Sequence, residues 1–68
     1  MLYVKLLKAY GGLSTATETI NGWIDEAHSR YPGFTVIGVT IQQLIETYSG
    51  TWTCIAVIEY RNDTPVQE

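Results

Sequence analysis

Hydrophobic residues repeat with a strand period near both ends of the chain and with a helical period between them. Within residues 2–9, Leu and Val at positions 2, 4 and 6 alternate with Tyr, Lys and Leu at positions 3, 5 and 7. This predicts a strand with protein near each face. Residues 34–60 contain two more strand-like runs on either side of Ser49-Gly50. Because Gly permits φ > 0 in a tight turn, they predict one long β-hairpin.

The segment between these strands has the pattern of an amphipathic helix. Thr15 and Glu18 have the spacing of a capping box, so the helix is predicted to start there. Tyr31-Pro32-Gly33 is predicted to end it, because proline disfavours a helical conformation in the preceding residue. Asn21-Gly22 is assigned to the helix, since its flanks lack strand alternation. The apolar stripe at helical spacing consists of Ala16, Ile20, Trp23, Ile24, Ala27 and Tyr31.

The order of these elements predicts an α+β fold of the β-α-β-β type, with the helix packed on a three-stranded mixed sheet. A right-handed crossover makes the first and second strands parallel. The last strand is placed in the centre, antiparallel to both, because its run from Trp52 to Tyr60 is nearly continuous in strand-forming residues. Residues 1–61 are predicted to form one domain and residues 62–68 a flexible C-terminal tail.

The predicted hairpin has two different faces. A two-residue loop places Ile45 opposite Cys54 and Ile41 opposite Ile58, on the face that the helix covers. One helix covers only one face, so apolar residues on the other face are expected to contact another subunit. The predicted oligomer interface consists of Leu44, Tyr48, Ile55 and Val57.

Composition and charge narrow the class of partner. Four basic against seven acidic residues give a net charge of −3, and the basic residues are scattered. This argues against a nucleic-acid partner, because nonspecific nucleic-acid affinity needs clustered positive charge. The first strand is too short to cross a bilayer, so no membrane partner is expected. A single Cys54 cannot form an internal disulfide, which favours a reducing cytoplasm.

The titratable residues predict neither catalysis nor a metal site. His28 and Asp25 share a helix face, but metal sites usually need three or four ligands. Cys54 lies on the predicted buried face, where a free thiol behaves as a small hydrophobe. No pair of carboxylates has opposed environments. We therefore expect a non-enzymatic protein without a cofactor.

Two groups of residues are candidates for holding a small ligand. Gly11-Gly12 leads into Ser14 at a helix start, where free N–H groups bind anions, although the same residues also make an ordinary strand-to-helix turn. Near the strand ends, a neighbouring subunit is expected to bring arginine close to tyrosine rings, which suits a nucleotide-like anion. The candidate ligand-binding residues are Tyr10, Gly11, Gly12, Ser14, Tyr48, Tyr60 and Arg61.

Several segments also carry a family resemblance. They are the lysine-bearing first strand, the helix around Ile20-Asn21-Gly22-Trp23-Ile24, the strand Phe34-Thr35-Val36-Ile37-Gly38-Val39 and the ending Ala56-Val57-Ile58-Glu59-Tyr60-Arg61. Together they resemble a family of very small proteins found among sporulation-associated genes and in phages of Gram-positive bacteria, mostly without assigned function. The element order and length are similar to dodecin, an oligomeric flavin-storing shell. Dodecins stack a Trp early in the second strand on the flavin; Phe34-Thr35-Val36 has none, which counts against flavin binding.

These observations lead to one functional expectation with two alternatives. The leading hypothesis is a phage-encoded homo-oligomer that sequesters a small nucleotide-like ligand at subunit interfaces, as a counter-defence protein would. Gly11-Gly12 and the arginines favour it. The alternatives are a protein that docks on a host protein and inhibits it, or a structural assembly subunit without a ligand. The low charge and the Tyr-rich sheet favour a protein partner.

Overall fold

The elements of the chain confirm the predicted fold class. The computed structural model describes residues 1–46 and 52–67, with the backbone alone at Gln43, Leu44 and Trp52. The elements are β1 (Leu2–Gly11), α1 (Leu13–Arg30), β2 (Thr35–Glu46) and β3 (Trp52–Arg61). The predicted turn at Ser49-Gly50 lies outside the described residues. The chain therefore has the β-α-β-β order and the α+β class that the hydrophobic pattern predicts.

The sheet has the strand order β1-β3-β2, so the last strand is central, as predicted. Both β1 and β2 pair with β3 in antiparallel fashion. They run parallel to each other on either side of β3 without pairing. All hydrogen-bonded pairing among the described strands is therefore antiparallel.

The predicted capping box at Thr15 and Glu18 is wrong, because the helix begins earlier, at Leu13. Gly11 has a φ of +96°, which turns the chain sharply out of β1. Gly12 is the N-cap, without a side-chain cap hydrogen bond, and its carbonyl oxygen accepts the N–H of Ala16 at 3.0 Å. Thr15 consequently lies inside the first turn. The glycine turn, and not a hydroxyl cap, sets the start of α1.

The end of the helix and its apolar stripe agree with the prediction. Tyr31 is the C-cap, and its N–H donates to the Ala27 carbonyl at 2.9 Å. Gly22 lies within α1. The stripe residues Ala16, Ile20 and Ala27 are buried, and the other three, Trp23, Ile24 and Tyr31, are half-buried.

The helix packs across β1 and β3. Small side chains allow close approach near its start, whereas aromatic rings fill the space near its end, where Trp23 packs edge-on against Phe34. Along the helix, the three buried clusters are Ala9, Ala16 and Cys54; then Ile20, Ala56 and Ile58; then Ala27, Phe34 and Tyr60.

The predicted register of the hairpin is wrong. Leu44, and not Ile45, already pairs with Cys54 at the turn end of β2, and two irregularities further along the strand add to this offset. The pairing shifts by one position between Val36 and Gly38 and again between Ile41 and Gln43. Such bulges add one unpaired residue to a strand, and each one-residue shift exchanges the faces of the residues beyond it.

The observed pairs differ accordingly from the predicted ones. Ile41 pairs with Ala56, and Ile45, predicted beneath the helix, pairs with Thr53 and is exposed. Leu44, predicted at the oligomer interface, pairs with Cys54, whose side chain is buried under the helix.

The helix leaves part of its own side of the sheet open. Val39 and Ile41 pair with the buried Ile58 and Ala56, yet they are 44% and 50% exposed. The expectation that one helix covers one whole face is therefore wrong over β2, because an α-helix is only about 10–12 Å wide and sits above the other two strands.

Residues 62–67 lie against the domain. Met1 and Asn62 exchange two hydrogen bonds, from the Met1 amino group to the Asn62 carbonyl at 3.0 Å and from the Asn62 N–H back at 3.1 Å. The Val66 N–H donates to the Tyr60 hydroxyl and the Gln67 N–H to the Tyr31 hydroxyl, both at 3.0 Å. The described part of the predicted tail thus contacts both the N-terminus and the end of the helix, and the flexibility of residues 62–68 stays a prediction.

Candidate interaction surface

The side of the sheet away from the helix is uncovered in the single chain, and we call it the open face. Strand alternation places the even residues of β1 and the odd residues of β3 on it. Leu2, Val4 and Leu6 are 58%, 58% and 66% exposed. The open face consists of Leu2, Val4, Leu6, Lys8 and Tyr10 from β1, of Thr53, Ile55, Val57, Glu59 and Arg61 from β3, and of their β2 partners, which include Thr35, Gly38, Thr40 and Ile45.

Apolar and charged residues lie side by side on the open face: Lys8 pairs with Ile55, Glu59 with Val4 and Arg61 with Leu2. Leu6 pairs with Val57, and both lie near the centre of the two strands. Ile55 and Val57 are half-buried. Lys8 and Glu59 lie on opposite sides of this centre. The central pair of the open face is therefore apolar, and each neighbouring pair combines one apolar and one charged residue.

The structure brings together four of the seven predicted ligand-binding residues. Tyr10, Gly11 and Gly12 run directly into α1, whose first turn contains the exposed Ser14. The Lys8 ammonium lies 5.5 Å from the centroid of the Tyr10 ring. This end of the molecule combines an exposed aromatic ring, a cation and helix N–H groups without a side-chain cap.

Two of the other predicted ligand-binding residues, Tyr60 and Arg61, are not close to this group. Thr53, the partner of Tyr10, precedes Arg61 by eight residues, a separation of about 27 Å along a strand. Tyr60 is 3% exposed, and its ring packs against Tyr3, Trp23 and Phe34. Tyr48 lies outside the described residues. Tyr60 is therefore a core residue, and the pocket predicted between subunits stays a prediction.

A shallow cleft of about 310 Å³ lies beside the end of α1. Its lining residues are Trp23, Glu26, Ala27, Arg30 and Val66. The Arg30 guanidinium stacks 5.3 Å from the Tyr31 ring and lies 3.9 Å from a Glu26 carboxylate oxygen. One signal for this cleft is visible in the sequence, because Val66 is the one large apolar residue after Arg61.

The titratable residues considered for chemistry lie apart. Cys54 is buried with Ala9 and Ala16 near the start of α1. His28 lies near the end of α1, where its ring packs edge-on against Phe34 with centroids 4.9 Å apart. Among the described residues, no group of three or more His, Cys, Asp or Glu side chains is placed to hold a metal ion.

No helix in the described part of the chain is both long and apolar enough to cross a membrane. Comparison with known proteins identifies no relative: no family model, no curated protein and no solved structure matches the chain.

Proposed function

We propose that this protein is a non-enzymatic binding protein that acts as a homo-oligomer, with the open face as the contact between copies. The observation that supports it best is the uncovered apolar band of Leu2, Val4 and Leu6 beside Ile55 and Val57. Burying such a band removes apolar area from water, at about 25 cal/mol per Å². A chain of 68 residues gains more from a partner than a larger domain does, because its own core is small.

The occupant that fits this face best is a second copy of the chain. The face carries both Lys8 and Glu59, on opposite sides of the apolar centre. A two-fold axis that lies between the two faces and runs across the strands places the lysine side of one copy over the glutamate side of the other. The charges of the two copies are then complementary. Two copies of the open face can therefore cover each other, and no other protein is needed to cover either of them.

The small-ligand hypothesis also depends on whether copies of the chain associate. The predicted residues at Tyr10 and at Arg61 are about 27 Å apart along one chain. A nucleotide-like anion can contact both only if a neighbouring copy supplies one of them. The proposed ligand site at subunit junctions therefore depends on the proposed oligomer, whereas the oligomer does not depend on a ligand.

The proposal is tested by replacing Ile55 and Val57 together by Asp. We expect wild-type protein to have an oligomeric mass by native mass spectrometry and light scattering, and the double variant to have a lower mass, because two buried carboxylates would face an apolar surface in the open-face contact. Asn21→Asp is the matched control, since Asn21 is exposed on the helix and the change also adds a negative charge.

Native mass spectrometry reports any retained small molecule in the same measurement. An oligomer that carries a nucleotide-sized mass supports sequestration, and a bare oligomer supports an assembly or protein-binding role. A monomeric wild-type protein would refute the proposed function. An oligomer unchanged by the two aspartates would exclude the open face as its contact.

A further inference from the structure

We infer that β1 pairs in antiparallel fashion with β1 of a second copy, around a two-fold axis at Leu6, to give one continuous six-stranded sheet. This inference rests on the proposed self-association and adds a second contact to it, because pairing at the edge leaves the open faces of both copies uncovered on the same side of the joined sheet. It follows from the hydrogen-bonding groups at the outer edge of β1, from the difference between the two edges of the sheet and from the charges that the pairing brings together.

The outer edge of β1 presents a regular row of donors and acceptors. Met1 and Asn62 exchange two hydrogen bonds, which fixes the phase of the antiparallel ladder that follows. Because paired residues alternate along such a ladder, the odd residues of β1 bond to β3. The N–H and C=O groups that point away from β3 belong to Leu2, Val4, Leu6, Lys8 and Tyr10. The side chains of these same five residues form the β1 part of the open face.

The two edges of the sheet differ in their suitability for pairing. β2 contains two register shifts, between Val36 and Gly38 and between Ile41 and Gln43. Bulges interrupt and twist an edge, which is a common protection against strand addition. β1 pairs with β3 without any shift over ten residues and contains no proline. β1 is therefore the edge that can accept a full-length strand.

Only one register uses every outward group of β1. With the axis at Leu6, Leu2 lies opposite the partner's Tyr10, Val4 opposite the partner's Lys8, and Leu6 opposite the partner's Leu6. Moving the axis to Lys5 places Lys5 opposite its own copy, a like-charge contact, and leaves Tyr10 unpaired. Moving it to Leu7 leaves Leu2 unpaired. With the axis between two residues, each residue whose N–H and C=O groups point away from β3 would lie opposite a residue whose groups point towards β3. Hydrogen bonds could not form in that register.

The register centred on Leu6 also brings opposite charges together. Within one chain, Val4 pairs with Glu59 and Leu2 pairs with Arg61. The partner's Glu59 therefore lies level with Lys8, two strands away, at a Cα separation of about 10 Å on the open face. Two long side chains span that distance. By the same geometry, the partner's Arg61 lies level with Tyr10, which brings these two predicted ligand residues to about 10 Å.

Cysteine cross-linking tests the register directly. In a Cys54→Ala background, Leu6→Cys places two thiols on residues whose Cα atoms are about 5.5 Å apart in the paired dimer, a distance that a disulfide spans. Leu2→Cys is the matched control, because its two copies lie about 27 Å apart in the same dimer. We expect about tenfold more cross-linked dimer from Leu6→Cys under mild oxidation.

A second pair of variants tests the backbone itself. Leu6→Pro removes an N–H that β3 does not use, and proline is tolerated in an edge strand at such a position. Leu6→Thr keeps the N–H while also removing the leucine side chain. We expect Leu6→Pro to lose the β1 contact and Leu6→Thr to retain it, with circular dichroism to show that both remain folded.

The outcomes separate this inference from the proposed function. Monomeric wild-type protein would refute both. An oligomer in which Leu6→Cys cross-links no better than Leu2→Cys would overturn the β1 pairing and leave the open-face oligomer standing. A folded Leu6→Pro variant with the same mass as Leu6→Thr would overturn it in the same way.

Discussion

At the residue scale, side-chain volume determines how closely the helix approaches the sheet. Ala9, Ala16 and Cys54 are buried together at one end, and none of them has more than two side-chain heavy atoms. At the other end Trp23, Phe34 and Tyr60 pack with ring centroids 5.2–5.8 Å apart. The helix thus lies close to the sheet where it leaves β1 and further away where it ends.

Gly11 provides a prediction at this scale, because its conformation and surroundings exclude a larger residue. Its φ is +96°, and an added Cβ would lie 3.2 Å from Thr15 side-chain atoms. We expect Gly11→Ala to lower the free energy of unfolding by about 1–2 kcal/mol, as measured by urea denaturation.

Gly22→Ala is the matched control for that prediction. Gly22 lies within the helix, and nothing lies within 4 Å of an added Cβ. The same substitution should therefore raise the free energy of unfolding by up to about 1 kcal/mol. Equal effects at the two glycines would show that the Gly11 turn is not strained by a side chain.

The sequence predicted buried residues better than binding residues. The stripe from Ala16 to Ala27 could be identified because helical periodicity is a local property. Tyr60 was predicted to bind a ligand, but it is a core residue whose hydroxyl accepts the Val66 N–H. The sequence did not predict this hydrogen bond, because Val66 belongs to a polar segment with no regular pattern.

At the element scale, strand and helix identities could be read from the sequence, whereas register could not. The two shifts in β2 change which residues share a face. Gly38, next to the first shift, is the one local indication of an irregularity, since an isolated glycine in a strand often marks a bulge. Gln42, at the second shift, gives no comparable indication of a bulge. Ile55 and Val57 lie on the face away from the helix, as predicted, whereas Leu44 pairs with the buried Cys54; an oligomer interface at these residues stays a prediction.

The segment of residues 62–67 behaves as an element anchored by two tyrosines. Tyr60→Phe removes the acceptor of the Val66 N–H. We expect a loss of about 1 kcal/mol in the free energy of unfolding and faster amide exchange at Val66, since the hydroxyl belongs to a buried residue. Tyr31→Phe should speed exchange at Gln67 in the same way.

Amide exchange at Ile58, in the central strand, serves as the internal reference for both tyrosine variants. Its exchange should change only by the global loss of stability. If Val66 exchanged at the same rate in wild-type and Tyr60→Phe protein, the hydroxyl would not be what holds the segment.

At the scale of the whole molecule, the exposed Leu2, Val4 and Leu6 belong both to the open face and to the outer edge of β1, the two places where copies are proposed to meet. If copies associate, folding is linked to association by mass action. A tenfold rise in protein concentration then contributes about 1.4 kcal/mol per dimer. We expect the melting temperature of wild-type protein to rise by about 3–5 °C over that range.

The variant with Asp at both Ile55 and Val57 should melt at a temperature independent of concentration if it is monomeric. A wild-type melting temperature that also stays constant across the range would contradict association. Scanning calorimetry at three concentrations provides the measurement.

The unequal edges of the sheet have a further consequence for growth. A strand that joins its own copy around a two-fold axis leaves no β1 edge free, and the outermost strands of the joined sheet are then the two bulged copies of β2. Sheet extension therefore terminates after two chains. The proposed pairing would thus spare a chain with several exposed β-branched residues from forming the endless ribbon typical of amyloid.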